Sequence, residues 1–211
     1  MKPSFQFEES AQKKGFRYVV GVDEAGRGPL AGPVVAAAVC LNGCVSKREV
    51  KGIKDSKLLS EKKREELFTR LTETLQMTWH YAVVSVEEID RDNIYQATRS
   101  AMELALCQFV SPPDWVLIDG RPFRDFPFPH EGIVSGDRLS YSIAAASIIA
   151  KVVRDRLMRE WHQQWPHYGF DEHKGYGTPQ HLEALKRYGP CPIHRNSFAP
   201  VMQAIGQKAE C

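Results

Sequence analysis

An apolar run, Tyr18-Val19-Val20-Gly21-Val22, leads straight into two adjacent carboxylates, Asp23-Glu24, and then into a loop, Gly26-Arg27-Gly28-Pro29-Leu30-Ala31-Gly32-Pro33. No basic residue lies in the run to neutralise the pair. An unpaired buried charge is strongly unfavourable, so a buried strand that ends in two acids needs a counter-ion from elsewhere. A divalent metal meets that need. The loop that follows offers bare backbone and one guanidinium, groups suited to gripping a phosphodiester.

Strand-like runs span residues 16–23, 34–41, 79–86 and 115–120, with a further short one at 132–134. Residues 58–75 have helical spacing, with Ser60 as cap and Leu67, Leu71 and Leu75 on one stripe. Residues 94–109 place Ile94, Ala97, Ala101, Leu104 and Ala105 on one face. A long helix over 142–165 turns Ile143, Ala146, Ile149, Ala150, Val153, Leu157 and Trp161 inward, with Lys151, Arg154 and Arg159 elsewhere on it. Thr178-Pro179 opens a last short helix, which Gly189 closes. Strands alternating with helices specify an α/β sheet. The Gly/Pro-dense loop makes the first two strands antiparallel and later ones join in parallel, giving a mixed sheet.

Sites in open sheets form beyond the carboxyl ends of the strands, where Asp23 and Asp119 both fall. Neighbouring strands lie about 4.8 Å apart, so these two carboxylates could share one ion or bridge a pair held roughly 3.5–4 Å apart. Asp137, in Gly136-Asp137-Arg138 before the long helix, adds a fourth acid to Asp23, Glu24 and Asp119. All-oxygen ligation selects Mg²⁺ or Mn²⁺ over zinc. Alone, Asp119-Gly120 suits a turn and Asp137 a cap. Only as a set do the four acids point to chemistry.

Net charge is +2 over 211 residues, which suits one domain and excludes a basic coating protein. Residues 47–70 hold nine Lys/Arg and five Asp/Glu. Composition favours a solvated helix face there; beside an acidic site the same charges would serve phosphate binding. The five cysteines, Cys40, Cys44, Cys107, Cys191 and Cys211, are odd in number without a Cys-x-x-Cys pair, as expected of reduced thiols. Cys40 and Cys44 lack the second half that a zinc site needs. His162, His167 and His173 form no convincing metal set. The polar first 15 residues lack a signal peptide's apolar stretch, and no run approaches the ~20 apolar residues that span a bilayer, so a cytoplasmic protein is expected.

Val22-Asp23-Glu24-Ala25-Gly26-Arg27-Gly28-Pro29 resembles the opening motif of the ribonuclease HII family. The resemblance continues in order through Asp55-Ser56-Lys57-Leu58-Leu59-Ser60, Leu117-Ile118-Asp119-Gly120, Gly136-Asp137 with Ser142-Ile143-Ala144-Ala145-Ala146-Ser147, His173-Lys174-Gly175-Tyr176-Gly177-Thr178 and His194-Arg195-Asn196-Ser197-Phe198. Each motif is weak alone; six in order, over about residues 18–201, are specific. The resemblance implies a ribonuclease H-like fold over residues 1–211: a mixed five-stranded sheet flanked by helices (about 16–165) and a C-terminal helical part (about 166–211). It also implies a metal-dependent endoribonuclease that cuts RNA in RNA–DNA hybrids and at single ribonucleotides embedded in duplex DNA, leaving 3′-hydroxyl and 5′-phosphate ends. Asp23, Glu24, Asp119 and Asp137 would be its metal ligands, for two Mg²⁺ or Mn²⁺ ions with substrate bound. Gly26, Arg27 and Gly28 would read the ribose 2′-hydroxyl, Tyr176 would pack on the sugar at the RNA–DNA junction, and Lys57 and Lys174 would lie near phosphates. Removal of misincorporated ribonucleotides and of replication-associated RNA would be its roles.

Bland roles remain open for some of these: Arg27 could merely pair with Glu24, and Tyr176 could be a core aromatic. Ser135 stands where many relatives carry Lys, so one phosphate contact is expected to be absent. Ribonuclease HIII shares the acids but expects an N-terminal substrate domain, and only about 17 residues precede the first strand here. A hybrid-binding protein without activity is disfavoured because all four acids are present. A dinucleotide-binding domain is disfavoured by Pro29 and a missing third glycine. The tail from Gln203 onward lacks the sliding-clamp box of some relatives, so no clamp partner is expected, and a monomer is.

Overall fold

A computed structural model of the chain describes residues 2–41, 45, 49–53 and 55–209, with side chains to residue 206. Five strands, β1 (Val19–Ala25), β2 (Val34–Leu41), β3 (Met77–Val84), β4 (Trp115–Asp119) and β5 (His130–Ile133), form one sheet in the order β3-β2-β1-β4-β5. β1 pairs antiparallel with β2, and β2 with β3. β4 joins β1 in parallel and β5 joins β4 in parallel. This is the expected mixed five-stranded α/β sheet.

Residues of β2 alternate between two cores, as the period of a strand dictates. Val34, Ala36, Ala38 and Cys40 face α3 (Val86–Leu106), while Val35, Ala37 and Val39 face α2 (Glu61–Glu73) and α4 (Tyr141–Gln164). Both faces are covered, so the strand reads as one unbroken apolar run. The alanines at 144–146 let α4 lie close on the sheet. At Gly21 a Cβ would stand 2.5 Å from the Ile143 backbone nitrogen, so that strand position tolerates no side chain. The C-terminal segment adds α5 (Phe170–His173), α6 (Pro179–Tyr188) and α7 (Ala199–Ala209).

Several boundaries differ from the sequence expectation. β1 runs through both carboxylates to Ala25 instead of ending at Asp23, because Asp23 and Glu24 still pair with Ala37 and Ala36 of β2. β3 stops at Val84, since Ser85 and Glu88 close a reciprocal capping box that starts α3. α3 therefore begins well before Ile94 and kinks at Asn93, φ 68°, whose side chain accepts from the Tyr95 and Gln96 amides. Leu75 and Leu104 are exposed, not on the buried stripes. α1 (Gln6–Lys13) lies in the stretch read as merely polar. Its Glu8 is buried and accepts from Ser140 Oγ (2.6 Å), Ser142 N (2.9 Å) and Ser142 Oγ (2.7 Å), so it ties α1 to the start of α4. Cys40 is buried in β2; Cys44 and Cys211 lie outside the described residues. No described helix is long and apolar enough to cross a membrane.

Candidate active site

Parallel pairing of β1 with β4 aligns Val22 with Ile118, so Asp23 and Asp119 follow side by side. β5 then brings the next loop alongside: the Asp137 amide donates to Asp119 Oδ1 at 3.4 Å. Gly136 allows this approach, because a Cβ there would stand 3.3 Å from the same oxygen and closer still to Ile143. Asp23 and Asp137 are each 5% exposed. Asp23 Oδ1 accepts from the Glu24 amide at 2.7 Å.

The four acids feel one another. Burial, then the charges of Glu24 and Asp119, push the Asp23 carboxyl well above its ordinary range. Burial raises Glu24 despite Arg27, whose Nη1 stands 3.2 Å from Glu24 Oε1. Burial, then Asp119 and Asp55, raise Asp137 to about 6. Burial alone would lower the Lys57 ammonium, but Asp23, Asp137, Asp55 and Asp119 outweigh it and raise its affinity for the proton. The sequence-derived set of Asp23, Glu24, Asp119, Asp137 and Lys57 is thus brought together at one end of the sheet. Among the described residues no three His, Cys, Asp or Glu side chains close into a ready-made ion cage.

A cleft of about 410 Å³ opens beside the acids, lined by Glu24, the Gly26–Arg27–Gly28 loop, Lys57 and Tyr176. Tyr176 is 45% exposed, which excludes a core role, and its ring carbon Cε1 lies 3.6 Å from where a Gly28 Cβ would be. Gly26 has φ 99°, and a Cβ there would collide with Arg154 and with the Pro33 carbonyl, so only glycine serves. Ser135 is exposed at φ 59°. Lys174 is the expected residue that does not reach the cleft. Its ammonium is buried, donates to the Asp171 carbonyl and faces Glu61 at 3.9 Å.

Sequence reasoning missed the residues that hold this cleft in shape. Arg154 donates to Pro33 O (3.0 Å), Lys174 O (2.9 Å) and Ala31 O (3.0 Å). Arg195 donates to Gly32 O (2.9 Å), Arg27 O (3.0 Å), Gly26 O (2.5 Å) and Pro33 O (3.2 Å). Both are fully buried, and among the described residues neither forms an ion pair. Arg154 was expected off the inner face of α4, yet it shares the buried stripe of Ile143, Ser147, Ala150 and Met158. That spacing was its only signal. Asp55, 1% exposed, accepts from the Lys57 amide (2.9 Å) and from Arg138 Nε (3.0 Å), tying the Lys57 turn to the Asp137 turn. Ser56 and Ser147 share a hydrogen bond of 2.9 Å beneath Asp23. Arg64 and Lys151 also line the cleft, and both pair with the buried Asp155, at 3.5 and 2.6 Å.

The family model described as ribonuclease HII matches residues 20–201. The ribonuclease HII of Chlamydia muridarum (strain MoPn / Nigg) is 53% identical over 199 residues, 94% of this chain and 90% of the relative. That of Xanthomonas campestris pv. campestris (strain B100) is 51% identical over 191 residues, 90% of this chain and 78% of its own. Among solved structures, the ribonuclease H2 of Pyrococcus horikoshii OT3 is similar with a TM-score of 0.78 at 27% identity, covering 92% of this chain and 99% of that one.

Proposed function

The chain belongs to the ribonuclease HII family and is an endoribonuclease of the ribonuclease H type, and from that premise we propose that it hydrolyses RNA within RNA–DNA hybrids and cuts DNA on the 5′ side of a single embedded ribonucleotide. The products carry 3′-hydroxyl and 5′-phosphate ends. The observation that carries this reading is the acidic set, in which burial and mutual repulsion hold Asp23, Glu24 and Asp137 above their ordinary range beside Asp119.

The donor chemistry fits a hard divalent cation, Mg²⁺ or Mn²⁺. Every donor is oxygen, and a cation would relieve the repulsion. Asp23, Glu24, Asp119 and Asp137 would hold it, with two ions when substrate is bound. When bound, such ions supply Lewis acidity at the scissile phosphate and activation of the attacking water.

The chain's own residues bind and orient. Gly26 and Gly28 present backbone at the cleft, where a 2′-hydroxyl distinguishes RNA from DNA. Arg27 reaches out from the same loop, half-exposed and pinned by Glu24. Tyr176 packs its exposed ring on the sugar at the RNA–DNA junction. Lys57 meets backbone phosphates. Lys174 serves through its backbone, whose carbonyl receives Arg154, and not through its ammonium.

A cleavage assay on duplex DNA carrying one ribonucleotide, with Mg²⁺, Mn²⁺ or EDTA, tests the reading. We expect one cut 5′ of the ribonucleotide with either metal and none in EDTA. Cutting of hybrid but not of this duplex would reject the junction activity, and cutting in EDTA would reject the metal.

A further inference from the structure

Three histidines cluster around the turn that carries Tyr176. His181 and His194 are fully buried, and the His173 ring stacks on His181 with centroids 4.5 Å apart and planes at 13°. The cluster is a hydrogen-bond chain with a definite direction. At one end the Cys191 amide donates to His194 Nδ1 at 2.9 Å, the shortest contact of that nitrogen (Cys191 Sγ stands at 3.1 Å and Cys191 O at 3.3 Å), so Nδ1 accepts and His194 carries its proton on Nε2. At the other end His181 Nδ1 stands 2.9 Å from the Tyr176 carbonyl, which only accepts, so His181 carries its proton on Nδ1. The two inner nitrogens, His194 Nε2 and His181 Nε2, meet at 3.0 Å as one donor and one acceptor. The ends are fixed independently by backbone groups, and they require complementary tautomers in the middle. Burial pushes both rings down to about 4, so both are neutral near pH 7, as the chain demands.

His173 completes the hold. Its Nε2 donates to Tyr168 O at 2.6 Å, which leaves Nδ1 to accept from the Gly175 amide at 3.1 Å. Its own carbonyl accepts from the Tyr176 amide at 2.9 Å. The Tyr176 carbonyl also accepts from the Thr178 amide at 2.8 Å. The backbone on both sides of Tyr176 is therefore tied to imidazoles or to the cap of α6. The Gly175 carbonyl in turn accepts from Leu30 N at 2.8 Å, which joins this turn to the Gly26–Pro33 loop.

We propose that His194 and His181 are positioning residues for substrate selectivity: the Cys191–His194–His181 chain fixes the carbonyl of Tyr176 and so holds its ring against Gly28, where it engages the ribonucleotide junction. The proposal rests on the assignment of Tyr176 to that junction. Severing the chain frees the ring, while the Gly-Arg-Gly loop keeps its own hold through the Arg195 bonds to the Arg27 and Gly26 carbonyls. Single-ribonucleotide cutting needs the ring at one place on one sugar; cutting along an RNA tract offers many registers and suffers less.

The test compares kcat/KM on duplex DNA with one ribonucleotide against that on a long RNA–DNA hybrid, both with Mg²⁺. His181→Phe keeps the ring shape but cuts both bonds of the chain. We expect the junction-to-tract ratio to fall about tenfold, the effect of one buried hydrogen bond lost in the productive state. His194→Gln keeps an amide donor toward His181 and is expected to stay within about threefold of the wild-type ratio, whereas His194→Leu follows His181→Phe. Added to Tyr176→Ala, His181→Phe should change the ratio no further, since the residues act as one unit. Amide hydrogen exchange at residues 176–178, read without substrate, should quicken in His181→Phe and stay near wild type in His194→Gln. Equal losses on both substrates, an additive double variant or unchanged exchange would overturn the chain's role. If Tyr176→Ala alone leaves the ratio unchanged, the junction role of Tyr176 fails, and selectivity with it. Exchange then shows by itself whether the chain orders the turn. Should His181→Phe not fold, His194→Leu gives the same readouts.

Discussion

In metal-free protein Asp137→Asn should stabilise the fold at neutral pH. The Asp137 carboxyl, lifted from 3.8 to about 6 by burial and by Asp119 and Asp55, is ionised at pH 7.5 in a place that disfavours its charge. A raised acid gives this destabilisation in full above pH 6; it fades as pH falls toward 3.8 and is absent below. At 1.36 kcal/mol per pH unit the lift corresponds to about 3 kcal/mol, and solvent screening near the surface reduces this to roughly 1–2 kcal/mol. An asparagine carries no charge, so it recovers that amount. For a domain of this size each kcal/mol moves Tm by about 2–4 °C, giving a rise of roughly 2–8 °C. Thermal scans in EDTA at pH 7.5 and pH 4 read it directly: the variant melts higher at pH 7.5 and level with wild type at pH 4. Saturating Mg²⁺ reverses the order, because ligand at a hundredfold excess over Kd adds about 2.7 kcal/mol to a protein with the full acid set and less to one lacking an acid. A variant that melts at or below wild type in EDTA at pH 7.5 would refute the idea that these acids repel one another across a shared site.

Asp119→Asn should abolish cleavage while the protein stays folded and binds hybrid; near-normal turnover would remove Asp119 from the catalytic set. Tyr176→Ala should lose single-ribonucleotide cutting more than cutting of long tracts, and equal losses would argue for a tyrosine of structural use only. Arg195→Lys replaces a planar fork that serves four carbonyls with three donors on one point. Leaving at least one buried carbonyl unpaired costs about 1–3 kcal/mol, so Tm should fall by roughly 2–12 °C, and an unchanged Tm would contradict the clamp. Burial pushes His181 and His194 down to about 4, while the same residues in the unfolded chain take up protons near 6.5. Their contribution to stability is therefore complete above pH 6.5 and lost as pH falls from 6.5 to 4. Urea titrations should show a shallower rise of stability between pH 4 and 6.5 in His181→Phe than in the unsubstituted protein, since the acids contribute equally to both, and equal slopes would sink the neutral-chain assignment.

What the sequence revealed follows from the reach of local rules. Strand and helix periodicity, the Gly/Pro-dense turn and the Thr178-Pro179 cap are local, and they placed the sheet, α4 and α6. The four acids were legible because each lies at or near the carboxyl end of a strand, in its last pairs or in the loop after it, and those ends converge in parallel neighbours. The Ser85–Glu88 capping box was also legible and shows why the third strand is shorter than its apolar run suggests. Arg154, Arg195 and Glu8 were hidden for one shared reason. A charged residue reads as exposed, and only partners far along the chain reverse that: 121 residues separate Arg154 from the Pro33 carbonyl, and 134 separate Glu8 from the Ser142 amide. Lys174 was placed near phosphates by resemblance alone, and no local pattern foretold that its ammonium turns inward to the Asp171 carbonyl.

The two buried arginines also explain how a loop with only one basic side chain can face an anionic backbone. Carbonyl oxygens accept from the guanidinium groups of Arg154 and Arg195, and no carboxylate among the described residues forms an ion pair with either, although Asp155 and Asp90 act on them from farther off. Burial pushes Arg154 down to about 10 and Arg195 to about 9, and both stay cationic at neutral pH. A carboxylate partner in place of the carbonyls would satisfy either guanidinium as well, yet it would cancel the field just where a phosphate must approach. Held by carbonyls, the Gly26–Pro33 loop sits over two positive charges in a medium that screens them poorly. The acids stand at its other end. One wall of the cleft therefore attracts anions and the other attracts cations, and both polarities come from groups fixed by the fold before any ligand arrives. Preorganisation of this kind requires the arginines to be buried and unpaired, which is destabilising in isolation and is offset here by seven carbonyl contacts.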